Sequence, residues 1–160
     1  KQAETNYKFI IDVISEIRSI RSELRVPPSN KIKLLIGNNK SDLINFLESN
    51  SKELHRMARI STIEFISSLP DNIIQFNASG IDFGLDLKGV IDVQQELDRL
   101  DKELKKLQNE LIVVDKKLSN QQFIRNAPLE IIDKQKQIKE NLSFNIERII
   151  LSKDKMKILL

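Results

Sequence analysis

Apolar residues recur along this chain with periods that change twice, and each period predicts its own kind of element. Between residues 6 and 25, Ile10, Val13, Ile14, Ile17, Ile20 and Leu24 fall three or four apart, the spacing of one stripe on an amphipathic helix. "VPPSN" ends it, because proline lacks the backbone donor and pushes the preceding residue out of helical geometry. The period then shortens. "KIKLLIG", closed by Gly37, "STIEFISS", "NIIQFNAS" and "IDFGLDL" alternate as short strands, the last two parted by a Ser-Gly turn at 79 to 80; "SDLINFLESNSKELHRMARI" reads as a helix capped by Ser41. Leu43, Ile44, Phe46, Leu47, Leu54 and Met57 give that helix an apolar side to lay on a sheet.

From Val90 the helical period returns and lasts. Val90, Val93, Leu97, Leu100, Leu104, Leu107, Leu111, Val114 and Leu118 alternate by three and four without a polar interruption. This is a coiled-coil seam about 43 Å long, at about 1.5 Å per residue. A second, weaker seam follows at Ile131, Gln135, Ile138, Leu142, Asn145, Ile149, Ser152, Met156 and Leu159. Glu96, Asp101, Glu103, Glu110 and Asp115 edge the first, with Lys117 of opposite sign; Lys134, Lys139, Arg148, Lys153 and Lys155 edge the second. Opposed edge charges favour folding the two helices back on each other over pairing either with its own copy. The level pairs are then Leu118 with Ile131, Leu111 with Ile138, Leu107 with Leu142 and Leu100 with Ile149. Glu103 comes near Arg148 and Glu96 near Lys155, but Lys117 also meets Lys134. Exposed pairs of this kind are worth about 0 to 1 kcal/mol each and select orientation.

The stretch "KKLSNQQFIRNAPLEII", residues 116 to 132, is the tip of that hairpin. Ser119 or Asn120 caps the turn, Phe123 and Ile124 close the seam, and Asn126 with Pro128 starts the return helix. The expected fold is mainly α with a small α+β unit: an amphipathic helix (1–30), a small antiparallel sheet with one helix (31–88), then a long antiparallel two-helix coiled-coil hairpin (89–160).

Composition narrows the chemistry. The 160 residues are 40% hydrophobic and 31% charged, and contain no cysteine and one histidine, His55. Disulfides and thiolate metal sites are excluded, and a hydrolase that pairs His with a nucleophile is disfavoured. No apolar run approaches the roughly 20 residues of a membrane span, and "KQAETNYKFI" lacks a leader's apolar core; an intracellular protein is expected. The net charge of +3 lies wholly in the second half, where residues 88 to 160 hold 15 Lys and Arg against 12 Asp and Glu, while residues 1 to 87 hold 11 of each. Lys116, Lys117 and Arg125 stand at the tip with no acid between Asp115 and Glu130. Such a cluster neutralises phosphates or simply keeps the tip soluble, and the residues alone favour solubility. Arg18, Arg21 and Arg25 border the apolar stripe of the first helix, where their stems cover the core.

Two motifs resemble the valyl-tRNA synthetase family. Leu87, Gly89, Val90, Ile91 and Asp92 fit that family's opening of the C-terminal arm; Leu118, Ser119, Asn120, Phe123, Ala127 and Pro128 fit its tip. "IRSIRSELRVPPSNKIKLLI" is similar to the end of the family's anticodon-binding helical bundle and the linker after it. The resemblance implies a C-terminal piece of a valine-tRNA ligase that uses ATP and Mg elsewhere in its chain. No catalytic residue, cofactor or metal is expected here, since the His-Ile-Gly-His and Lys-Met-Ser-Lys-Ser motifs are missing. The partners implied are the valine-specific tRNA and the rest of the synthetase, with no membrane, in a cytoplasmic monomer. The arm is expected at the outer corner of the tRNA, where the D and T loops meet. Lys116, Lys117 and Arg125 are the first candidates for contact, then Lys105, Lys106 and Lys102, with Arg18, Arg21 and Arg25 in the bundle remnant. Where the family often has Lys before Ala-Pro, Asn126 stands here and Arg125 precedes it. The alternative is a protein-interaction or spacer module, for which Phe144, Ile150 and Leu151 lie off the seam; packing at the arm's base is their plainer use.

Overall fold

The computed structural model describes residues 2–37 and 41–160, with the side chains of Gln2, Ala3 and Ser41 outside the description; the cap expected of Ser41 falls there. The chain forms two compact units, residues 1–93 with 155–160, and residues 94–154.

In the first unit, α1 (Gln2–Glu23) buries Ile10, Val13, Ile14, Ile17 and Ile20, and Leu24 just past its end completes the stripe its spacing predicts. The helix ends where Arg25 turns left-handed at φ 51°. Arg21 then locks the following turn, its Nη2 donating to the carbonyls of Pro27 (2.9 Å) and Asn30 (2.8 Å). Strands β1 (Ile32–Ile36), β2 (Ile60–Phe65), β3 (Ile74–Ala78) and β4 (Ile81–Asp86) form one sheet in the order β2-β1-β4-β3. β4 pairs antiparallel with both its neighbours, but β1 and β2 are parallel where the pattern reads as antiparallel throughout. The reason lies in the connection, which contains helix and is long enough to return the chain in its original direction.

That connection holds two helices in place of the single one expected, α2 (Ser41–Ser49) and α3 (Ser51–Met57). Asn50 breaks them apart, since both its backbone N–H and its side-chain Nδ2 donate to the Phe46 carbonyl; a side-chain amide that competes for helix carbonyls favours an end. Leu47 and Leu54 are buried as expected, whereas Met57 is exposed because it lies in the last turn, beyond the face that meets the sheet. The β3–β4 hairpin turns at Ser79 (φ 52°) and Gly80 (φ 81°), the pair of positive angles that a two-residue hairpin of right-handed twist requires. Phe83 sits fully buried on β4, stacked on Phe76 of β3 at 5.1 Å and tilted against Phe9 of α1 at 6.2 Å, so helix and sheet share one core.

After β4, Leu87 is buried and Gly89 turns left-handed at φ 72°. The Val90 carbonyl next to it accepts from Asn30 Nδ2 at 2.8 Å, which ties the arm's root to the turn after α1. A Cβ at Gly89 would meet no atom within 4 Å, so only its backbone angle demands glycine. Gly89→Ala is therefore expected to cost about 1 to 2 kcal/mol, read as a lowered unfolding temperature of the first unit.

Candidate nucleic-acid interface

The second unit is built from α4 (Val93–Ser119), the short α5 (Gln121–Asn126) and α6 (Leu129–Lys157), whose last residues count with the first unit. Leu97, Leu100 and Val114 are buried along α4, with Leu104, Leu107, Leu111 and Leu118 half-buried, so the first seam runs as its spacing predicts. Val90 lies outside the helix, in the turn that precedes it.

On α6 two seam positions differ from expectation. Ile131 and Asn145 are exposed, and their neighbours Ile132 and Ile146 turn inward in their place. Each is a case of adjacent residues competing for one seam position, and the more apolar or better-placed neighbour is buried. Leu142, Ile149 and Ser152 are buried as expected. Two ion pairs fix the antiparallel sense, Asp115 with Lys139 at 2.7 Å and Asp101 with Lys153. They lie the same two heptads apart on both helices, so one register serves both. The expected pairing of Glu96 with Lys155 gives way to local geometry. Arg99 Nε donates to Glu96 (2.9 Å) and its Nη1 to Glu103 (2.6 Å), both on α4, while Lys155 pairs with Glu23 at 2.9 Å. A carboxylate three or four residues away on the same helix is already within reach.

The tip is a helical corner and not a bare turn. Asn120 is its cap: Oδ1 accepts from the backbone N–H groups of Gln122 (3.0 Å) and Phe123 (3.3 Å), in the extended conformation that caps adopt. α5 closes when Ala127 N–H donates to the Phe123 carbonyl at 2.8 Å. Pro128 follows, and its carbonyl accepts from Ile131 and Ile132 to start α6. Phe123 is half-buried, as the seam's closure requires, whereas Ile124 remains exposed.

On this corner Lys116 and Lys117 occupy the last turn of α4, and Arg125 the last turn of α5. All three are exposed, and none has an ion-pair partner among the described residues. Lys102, Lys105 and Lys106 are exposed further down α4, about 15 to 21 Å from Lys116 along the axis. In the first unit the three arginines of α1 part ways: Arg18 and Arg25 are exposed, but Arg21 is only 7% exposed and holds backbone carbonyls. Arg56 and Arg59, which no pattern in the sequence links to α1, join Arg18 and Arg21 around a cavity of about 400 Å³. Their signal was present in "HRMARI", but only the crossover from β1 to β2 brings it to α1. Phe144 and Leu151 are each 60% exposed, and Ile150 is exposed as well. Arg148 lies over the Phe144 ring, 5.8 Å from its centroid.

Among the described residues, no group of three or more His, Cys, Asp or Glu is placed to hold a metal, and no helix is long and apolar enough to cross a membrane. The corner presents Lys116, Lys117 and Arg125 with no acid from Lys116 to Leu129, a surface suited to phosphates.

Comparison with known proteins gives the chain a family. Residues 92–157 match the family described as the valyl tRNA synthetase tRNA binding arm. The chain is similar to the valine-tRNA ligase of Bradyrhizobium diazoefficiens, 33% identical over 139 residues, which cover 87% of the chain and 14% of that protein. It is also similar to the valine-tRNA ligases of Aquifex aeolicus (30% over 138 residues, 86% of the chain and 12% of that protein) and Bacillus subtilis (30% over 138 residues, 85% and 16%). The alignments thus span between 12% and 16% of the lengths of the latter two, and 14% of the first.

Proposed function

The chain is a relative of the valine-tRNA ligases whose residues 92–157 form a valyl-tRNA synthetase tRNA binding arm, and from that premise we propose that its helical corner grips the outer corner of valine-specific tRNA. Lys116, Lys117 and Arg125 neutralise backbone phosphates where the D and T loops meet, and Lys105, Lys106 and Lys102 extend the contact along α4. Double-helical RNA is recognised largely through its shape and phosphates, and unstacked loop bases can lie on side chains beside them. The arm does no chemistry. It supplies affinity and orientation to an ATP-dependent aminoacylation carried out by a longer synthetase chain in the cytoplasm, acting as a single copy. Residues 1–30 and 31–88 are, in this reading, the last helix of the anticodon-binding bundle and the linker that carries the arm.

One observation carries the proposal: three exposed cations without partners stand on a capped helical corner with no carboxylate in its sequence from Lys116 to Leu129. A second reading, docking of a protein, is favoured by the exposure of Phe144, Ile150 and Leu151. Salt separates the two. Binding of tRNA to the chain, followed by fluorescence anisotropy across salt concentrations, is expected to weaken with a slope near one unit of log affinity per phosphate neutralised. A slope near zero, together with binding of a protein through the α6 surface, would favour docking.

A further inference from the structure

The cavity between the end of α1 and the corner joining α3 to β2 is lined by Arg18, Arg21, Arg56 and Arg59, and no acid lines it. Arg21 is the informative member. Its Nη2 holds two carbonyls, but its Nη1 is buried and has no hydrogen-bond partner. Buried donors are almost always paired, and a guanidinium has no neutral form to retreat to near pH 7. Burial and the nearby charge of Arg59 both push the Arg21 guanidinium below its ordinary pKa, so its cationic form is disfavoured where it stands. The C-terminal ends of α1 and α3 abut this corner, but a helix end offers only about −0.5 charge. Among the residues that line the cavity, none carries a negative charge to offset the four guanidinium groups. Arg59 adds a backbone signal: it sits left-handed at φ 55°, just past the end of α3, where glycine is the ordinary choice. An arginine at such a position carries backbone strain that glycine would not. Val26, Pro28 and Met57 supply the apolar part of the wall, which lowers the local dielectric and strengthens attraction to an anion.

We propose that this pocket binds a phosphate group, its planar guanidinium donors clasping the oxygens as a fork, and that the phosphate is a backbone phosphodiester of bound RNA. The second clause rests on the RNA reading of the preceding subsection; the first does not.

The test begins without RNA. Inorganic phosphate is titrated into the chain at constant ionic strength, with chloride as the balancing salt, and unfolding temperature is read. Wild type is expected to gain about 6 to 11 °C at roughly ten times the dissociation constant obtained from the same titration. Arg56→Gln and Arg59→Gly are expected to lose that gain. Arg59→Gly starts from a higher unfolding temperature in chloride, since glycine relieves the left-handed strain, so loss of the phosphate effect cannot be confused with loss of the fold. Equal stabilisation by chloride, or an undiminished phosphate gain in both variants, would overturn the pocket. The RNA arm then identifies the source. With Lys116, Lys117 and Arg125 intact, the Arg56→Gln, Arg59→Gly double variant is expected to lower the salt slope of tRNA binding by about one. An unchanged slope in a variant that has lost its phosphate gain would overturn the phosphodiester assignment and leave the pocket to free phosphate. Failure of the arm's own contact would be seen separately, as an unchanged slope in the Lys116, Lys117 and Arg125 variant.

Discussion

Replacing Lys116, Lys117 and Arg125 together by alanine is expected to lower affinity for valine-specific tRNA on the order of a hundredfold, the combined loss of three charge-assisted contacts. The slope of log affinity against log salt is expected to fall by roughly three. The fold should not change. The three side chains are exposed and take part in none of the described ion pairs, while the cap of α5 belongs to Asn120 and the antiparallel sense to Asp115–Lys139 and Asp101–Lys153. Circular dichroism that superimposes on wild type, beside binding whose salt slope is shallower by roughly three, is the expected pair of results. A slope that stays at its original value would assign the phosphate contacts to other residues.

Phe83→Ala is expected to be the most damaging single change to stability. The ring is fully buried at the meeting of α1, β3 and β4, against Phe9 and Phe76, and truncating a core phenylalanine costs about 3 to 5 kcal/mol. For a unit of this size the unfolding temperature should drop by more than about 10 °C. The hairpin has its own core of Leu97, Leu100, Val114, Ile132, Leu142 and Ile149. Its helical signal is therefore expected to survive while the first unit melts. A single transition that takes both signals down together would contradict the division into two units.

How much of this was legible in the sequence depended on whether a feature was local. The seam of α4 was, because eight apolar residues at alternating threes and fours leave one stripe to bury. The return seam was legible only to within a residue, since Ile131 lies beside Ile132 and Asn145 beside Ile146, and a period near 3.6 drifts from a strict heptad. α5 escaped because six residues are too few to display a helical period; its cap, Asn120, was visible, but so was Ser119 beside it. The parallel pairing of β1 and β2 escaped for a different reason. Alternation reports which face of a strand is buried and says nothing of its direction. The tip cations could be found by the absence of acids around them, a property of the sequence alone. The arginine pocket could not: Arg18 and Arg21 are separated from Arg56 and Arg59 by a turn, a strand and a two-helix crossover, and only the folded first unit brings them to one cavity. Arg21 itself read as a border residue, yet it is the buried strut of the turn after α1.

The central claim is that the helical corner of the arm reads the corner of the tRNA. Its most direct test is equilibrium binding of the chain to intact valine tRNA and to the same tRNA with its D and T loops disrupted, each with wild type and with the Lys116, Lys117 and Arg125 triple variant. The predicted result is tight binding in one combination alone, wild type with intact tRNA, with either change removing the preference. Equal binding in all four combinations would contradict the claim.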